Sequence, residues 1–437
     1  MHAPDIRSFA HALEGTETDH SALLDTVGDA SFVLLGEGSH GTHDFYQERA
    51  EITKRLIVEK GFRAVAVEAD WPDAYRVNRY VRGESDDRDA NAALSGFERF
   101  PTWMWRNTVV LEFVEWLRDV NSARATNDRT GFYGMDLYSL FNSMEAVVEY
   151  LDGVDPEAAR RARYRYSCFE HFGEDSQAYG YTASFDLSRS CEDEAVNQLV
   201  EMQRRAMDYL NRTGRDDFFD AEQNARLVKN AEEYYRSMFR GRQSSWNLRD
   251  THMTETIEAL ISYLRRHGQA PKLVVWAHNS HLGDARATEM GSRGELNVGQ
   301  LVRQKYGSGA LLVGFTTFAG TVTAATDWDE PGERKRVRPA LPDSYELGFH
   351  EMQIPRFFLD LRNGARKSQL LSKPRLERAI GVIYRPETER VSHYFRADMP
   401  RQFDAVYHLD ATRAVEPLEK PERWHDVEPP ETYPSGM

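Results

Sequence analysis

The sequence predicts an α/β protein: a mostly parallel central sheet flanked by helices, with a large helical insertion or subdomain. Three observations lead there. Short apolar runs alternate with amphipathic helical stretches through residues 1–138, the pattern of a parallel sheet. Strand signals almost vanish over 139–268, where the chain is charged and helical. They resume over 269–415, and a proline-rich tail reading as irregular fills 416–437.

The elements follow in order. Residues 31–35 are a short apolar run ending in Gly36, and therefore a buried strand. A helix is expected over 44–60, with Phe45, Ile52, Leu56 and Ile57 on one face and Gly61 as its stop. A strand over 64–67 runs into Glu68, and Pro72 suits the first turn of the next helix. A third strand, 131–135, ends at Asp136. The most regular helices of the middle stretch are 222–239 and 250–266. Strands return at 272–277, ending at His278, then at 310–315, 379–384 and 404–407. Residues 320–325 are expected to turn back on 310–315 as a hairpin. The charged stretch 327–342, including 333–338, reads as a solvated loop.

Composition narrows the function. The chain of 437 residues carries a formal charge of -15. A strongly acidic surface disfavours nucleic acid and anionic membranes, whose phosphates require positive charge. It fits a small-molecule substrate. No apolar stretch approaches the ~18–20 residues that cross a bilayer, and no secretory h-region follows Met1-His2-Ala3-Pro4-Asp5. Cys168 and Cys191 could form one bridge but are too few for a disulfide framework, and two free thiols in a reducing compartment are expected. The cytoplasm is the expected location.

Four expected strands each finish on an ionisable residue: Glu37, Glu68, Asp136 and His278. Ligands of open α/β sheets bind beyond the carboxyl ends of the strands, so these side chains should share one cleft. Glu37 and His40 lie three apart on a glycine-flanked turn. A histidine can take a proton at neutral pH, and a neighbouring carboxylate fixes its tautomer; together they can activate water. The plainer reading is a capped turn at Ser39 with a buried, satisfied His40. Residues 276–281 repeat the logic, with His278 and His281 beside Asn279. In 245–250, Asn247 or Asp250 would cap a helix. Arg249 would bind an oxyanion or a substrate anion, or form a plain salt bridge. Glu37, His40, His278 and His281 are also plausible zinc ligands, although His-Glu-x-x-His is absent. There is no Gly-x-Ser-x-Gly elbow and no P-loop, and neither cysteine looks like a nucleophile.

The segment Leu34-Leu35-Gly36-Glu37-Gly38-Ser39-His40-Gly41-Thr42 resembles the first motif of the erythromycin esterase family. Ala66-Val67-Glu68-Ala69-Asp70, Trp246-Asn247-Leu248-Arg249-Asp250 and Trp276-Ala277-His278-Asn279-Ser280-His281 resemble its later ones, in the same order, over about residues 15–415. The resemblance implies an α/β core, a helical portion and a cleft between them. It implies a hydrolase that opens a macrocyclic lactone with water and with no metal or other cofactor. It makes His40 the general base. Glu37, Glu68 and His281 would orient it, place the water or assist the leaving group, and Arg249 would line the site. His278, Asp250, Asp136, Asn279 and Trp71 are candidates for substrate contact or support. Trp103, Trp105 and Tyr138 could line the pocket or fill the core. These motifs mark the centre rather than the pocket. Macrolide hydrolysis and antibiotic resistance therefore come from the family, and the implied partner is an ester or lactone.

Overall fold

The apolar run that opens the sequence pattern becomes the middle of a sheet. The structure is a computed structural model describing residues 6–16, 18–172, 176–185, 190–239, 242–362 and 364–419. Its strands, in chain order, are β1 (Ala10–Ala12), β2 (Phe32–Leu35), β3 (Ala64–Asp70), β4 (Gly131–Asp136), β5 (Leu273–Trp276), β6 (Ala310–Ala324), β7 (Glu333–Val337), β8 (Arg356–Asp360), β9 (Arg375–Arg378), β10 (Tyr394–Ala397) and β11 (Ala405–Thr412). Nine of them form one sheet in the order β1-β8-β11-β6-β2-β5-β3-β4, with β7 paired to β6. The run from β4 to β11 is parallel throughout. Strands β8, β1 and β7 are antiparallel additions.

All four residues of β2 are buried, as a strand covered on both faces requires. Phe32 and Leu34 join one apolar cluster, and Val33 and Leu35 the other. The first cluster continues into the helices between β4 and β5 through Leu140, Val147, Leu227, Ala231 and Ile257. These helices therefore share a core with one face of the sheet. Helix Arg215–Met238 packs against helices Leu140–Val154, Glu192–Arg204 and Arg242–Arg266. Helices His43–Glu59, Trp71–Val81 and Thr108–Ser122 contribute to the second cluster and cover the opposite face.

Several expectations are corrected. The stretch 310–325 is not a hairpin: β6 is one long strand, and its last part pairs with β7. The charged segment 333–337, expected as loop, is that edge strand. Four of its five residues are charged and none of those is buried, as suits a sheet margin, where long charged residues keep an edge from pairing further. The expected strand 379–384 does not form. Ile380 instead exchanges backbone hydrogen bonds with Gly38 and His40, at 3.0 and 2.9 Å, and so is drawn to the first motif. The preceding residues form β9, which pairs with β10 and stays outside the main sheet. Cys168 and Cys191 are not free thiols. Packing of the 3-10 turn Ser167–Phe172 beside the start of helix Glu192–Arg204 brings their Cα atoms to 6.0 Å, the span of a disulfide, and they are bonded. This removes the cysteine argument for a reducing compartment. Of the expected tail, Glu416 and Leu418 bond to the backbone of Thr108 and Arg106, and 420–437 lie outside the described residues. Among the described residues, no helix is long and apolar enough to cross a membrane.

Leu34→Ala removes side-chain volume from the fully buried central strand. It is expected to lower the unfolding free energy by about 2–5 kcal/mol, measured by urea denaturation.

Candidate active site

The strands β4, β3, β5 and β2 are neighbours and parallel, so their carboxyl ends lie side by side. Those ends carry Asp136, Glu68, His278 and Glu37. Beyond them lies a cavity of about 440 Å³ lined by His40, Glu68, Asp136, Arg249, His278 and His281, among others.

The first wall is the glycine turn after β2. Gly41 has φ +67°, and a Cβ there would stand 2.0 Å from the Thr323 carbonyl oxygen. Gly36 has no room for a side chain either, because Asn279 Oδ1 would be 2.1 Å from its Cβ. This close fit lets the chain bend under β6 and brings His40 back over Glu37. The Nδ1–H of His40 donates to Glu37 Oε1 at 2.8 Å. The other carboxylate oxygen accepts from Arg49 Nη2, also at 2.8 Å. Arg49 is fully buried, with its guanidinium 4.5 Å from the Tyr46 ring and 5.3 Å from Trp276. With Nδ1 committed, Nε2 is the nitrogen His40 has left for chemistry.

The second wall is built around Arg249. Its Nε and Nη2 grip both oxygens of Asp136 at 2.9 and 2.7 Å, and Nη2 also reaches Glu68 Oε1 at 2.8 Å. The pairing of β3 with β4 shifts register between Val67 and Asp70, which turns the Glu68 side chain into the site. Its Oε2 accepts the backbone N–H of His278 at 2.8 Å. Burial opposes ionisation of Glu68, but His281 and Arg249 hold it well below the usual carboxylate range. Asp136 is likewise lowered, because Arg249 outweighs its burial.

His281 completes this wall. Its Nδ1 lies 2.9 Å from Asp250 Oδ2, and its ring stacks on Trp246 with centroids 4.5 Å apart. Its Nε2 lies 3.3 Å from Glu68 Oε1 and 3.2 Å from Arg249 Nη1. Burial alone would depress this histidine, but Asp250 and Glu68 outweigh it and push it up to about 9. His281 is therefore an imidazolium at neutral pH. His278 is the reverse case: burial, reinforced by His40, pushes it well down and keeps it neutral. Its Nδ1 caps the short helix Asn279–Leu282 by accepting the Ser280 N–H at 3.2 Å.

With this geometry in view, the comparisons are direct. The erythromycin esterase family matches residues 57–412. The chain belongs to that family. It is 21% identical to erythromycin esterase type II of Escherichia coli, over 91% of this chain and 93% of that one. A crystallised Bacillus cereus protein has the same fold, with a TM-score of 0.77 at 20% identity over 95% of this chain and 98% of that one. A mutant of the erythromycin esterase EreC in its open conformation follows at 0.67 and 15% identity, covering 90% and 94%. Family membership makes the chain a hydrolase.

Of the residues expected from sequence, the structure gathers Glu37, His40, Glu68, Arg249, His281, Asp250, Asp136 and His278 around this cavity. Asp250 is no helix cap. The helix begins at Arg242, so Arg249 and Asp250 lie two turns inside it, and Asp250 accepts the Val298 N–H at 3.0 Å. Asn247 is not a cap either; its side chain bonds the backbone of Gly294 and Leu296. Asn279 is fully buried behind the site, where it binds the backbone of Phe315. Trp71 is a core residue stacked on Tyr75 and Tyr133, with its N–H on Asp220. Trp105 and Tyr138 line the cavity. Arg49 is the member that sequence reasoning missed. The signal was present: Phe45, Arg49, Ile52 and Leu56 follow helical spacing, which places an arginine on the apolar face. Among the described residues, no group of three or more His, Cys, Asp or Glu side chains is disposed to hold a metal ion.

Two outcomes test this electrostatic reading. His281 has a folded-state pKa above its unfolded value. Its contribution to stability is therefore full below pH ~6.5 and is lost as pH rises through about 9. Unfolding free energies measured across pH 6 to 10 should show that loss, and His281→Asn should remove it. Arg49→Leu strands the Glu37 carboxylate and is expected to cost about 3–5 kcal/mol in urea denaturation. Glu37→Gln in that background should recover part of the loss.

Proposed function

We propose that the protein hydrolyses an ester or lactone by direct attack of water activated by His40. The observation that carries the reading is the pairing of two unlike histidine arrangements on one cavity. His40 is tied through Nδ1 to a carboxylate, which leaves Nε2 to accept a proton. His281 is already protonated and stands beside Arg249.

The charges favour this division of labour. Glu37, Glu68, Asp136 and Asp250 face Arg49, Arg249 and the His281 imidazolium. With His40 neutral the group has one negative charge in excess. The Glu37 carboxylate, 2.8 Å from His40 Nδ1, orients the ring that takes the proton as water attacks. On the other wall, a protonated His281 cannot accept from Arg249. Its Nε2–H, which also faces Glu68 Oε1 at 3.3 Å, and the Arg249 Nη1–H, with nitrogens 3.2 Å apart, are two adjacent donors that a developing oxyanion would share.

The step then balances without a covalent enzyme intermediate. The water oxygen bonds to the carbonyl carbon, and its proton passes to His40 Nε2. The tetrahedral intermediate collapses by breaking the carbon–oxygen bond to the alcohol. His40 returns the proton to that departing oxygen. Erythromycin, named by the Escherichia coli relative, is the first substrate to try, alongside simple aryl and alkyl esters.

His40→Ala is expected to lower kcat about 10²–10⁴-fold on whichever ester the wild type accepts, measured by release of acid. Near wild-type turnover in that variant would refute the mechanism.

A further inference from the structure

Glu377 is a buried carboxyl that the hydrolytic step does not use, yet it stands directly behind the turn that carries His40. It lies in β9 with no exposure to solvent. Its Oε1 accepts from Gln402 Nε2 at 3.3 Å, and the Asn279 amide also faces the carboxyl. Asn279 has two amide hydrogens to place. One goes to the Phe315 carbonyl, at 2.9 Å from Nδ2, and the other serves Glu377. A buried amide hydrogen needs an acceptor, and Glu377 supplies it.

What Asn279 holds is the turn. Its Oδ1 would lie 2.1 Å from a Cβ at Gly36, so the amide sits flush against the end of β2. Its backbone N–H donates to the Glu37 carbonyl at 2.8 Å. Three residues past Glu377, Ile380 exchanges backbone hydrogen bonds with Gly38 and His40. The segment 377–380 therefore braces the Glu37–His40 turn twice, by main chain at Ile380 and through Asn279 at Glu377.

The carboxyl does this without charge. Burial and the neighbouring Glu346 push Glu377 well up, and the Gln402 and Asn279 amides oppose them only in part. Glu346 is itself raised by burial, and its Oε1 accepts the Arg378 N–H at 2.8 Å. The Arg378 guanidinium is turned away, to the carbonyls of Thr317, Phe318 and Arg338 and to Glu389. Among the described residues, Glu377 Oε2, Glu346 Oε2 and Gln402 Oε1 are buried oxygens with no hydrogen-bond donor. A proton on Glu377 Oε2 makes one of these acceptors a donor.

We propose that Glu377 is a positioning residue for His40, acting through the Asn279 amide to fix the turn on which Glu37 and His40 sit. The proposal rests on the hydrolase reading for its consequence in turnover, but not for its effect on His40.

The test reads two histidine Nδ1 protons that face carboxylates, His40 against Glu37 and His281 against Asp250. Both are expected downfield in the proton NMR spectrum, where His40→Asn and His281→Asn assign them. Glu377→Met removes the acceptor and fills the space with a flexible apolar chain. It is expected to abolish the His40 signal and leave the His281 signal in place. Glu377→Gln, a neutral amide of the same shape, should keep both. On an ester that the wild type accepts, Glu377→Met should lower kcat by up to about 10²-fold with KM unchanged, and Glu377→Gln should retain most of the activity. If Glu377→Met does not fold, Gln402→Met, which takes the other amide from the same carboxyl, must disturb the His40 signal alone. An unchanged His40 signal, loss of both signals, or equal damage from Glu377→Gln would each overturn the proposal. If no ester is turned over, the hydrolytic reading fails while the spectra still decide this one.

Discussion

Four carboxylates gathered out of water at one edge of a sheet must be neutralised, and the rest of the structure depends on how that is done. Glu37, Glu68, Asp136 and Asp250 are all buried. Left unpaired, each would cost several kcal/mol or give up its charge. Arg249 meets most of this demand. It binds Asp136 and Glu68 together and holds its Nη1 against His281, which is itself clamped by Asp250. One side chain from a helix thereby joins the ends of β4 and β3 to the turn after β5. The helix Arg242–Arg266 must dock on that edge for the charges to balance. Arg49 performs the same service for Glu37 from a helix on the opposite face.

The backbone arrangement follows from the same requirement. The turn after β2 can carry His40 back over Glu37 because Gly36 and Gly41 leave space for Asn279 and for the Thr323 carbonyl. Asn279 donates its backbone N–H to the Glu37 carbonyl at 2.8 Å and fixes Phe315 with its amide. The Glu37–His40 pair is thus held from β5 and β6 as well as from its own strand. A polar residue with no exposure to the cavity does as much to place His40 as one that faces it.

Much of this was legible in the sequence, for identifiable reasons. Strand ends were marked by apolar runs stopping at Glu37, Glu68, Asp136 and His278, because a parallel strand buried on both faces tolerates polarity only where it leaves the sheet. What was not legible depends on partners remote along the chain. Residues 379–384 have strand composition, yet their backbone is claimed by the Gly38–His40 turn. Residues 333–337 have loop composition, yet an edge strand tolerates charge. Trp71, beside the Glu68 motif, points into the core because its indole N–H finds Asp220 on a helix 149 residues further on. The bond between Cys168 and Cys191 depends on how two helical segments meet, which spacing alone does not encode.

The exposed rim has the opposite character from the charged centre. Trp328 and Val391 stand at the cavity mouth with 52% and 88% exposure. Neither supports a buried charge, so either can change singly at little cost to folding. A change at Arg249 disturbs several buried groups at once and must be matched by others. Variation in such a protein is easiest at the outside: the interlocked charged centre can change only as a block, while the rim can change one residue at a time. A scaffold of this kind can acquire new substrates faster than new chemistry.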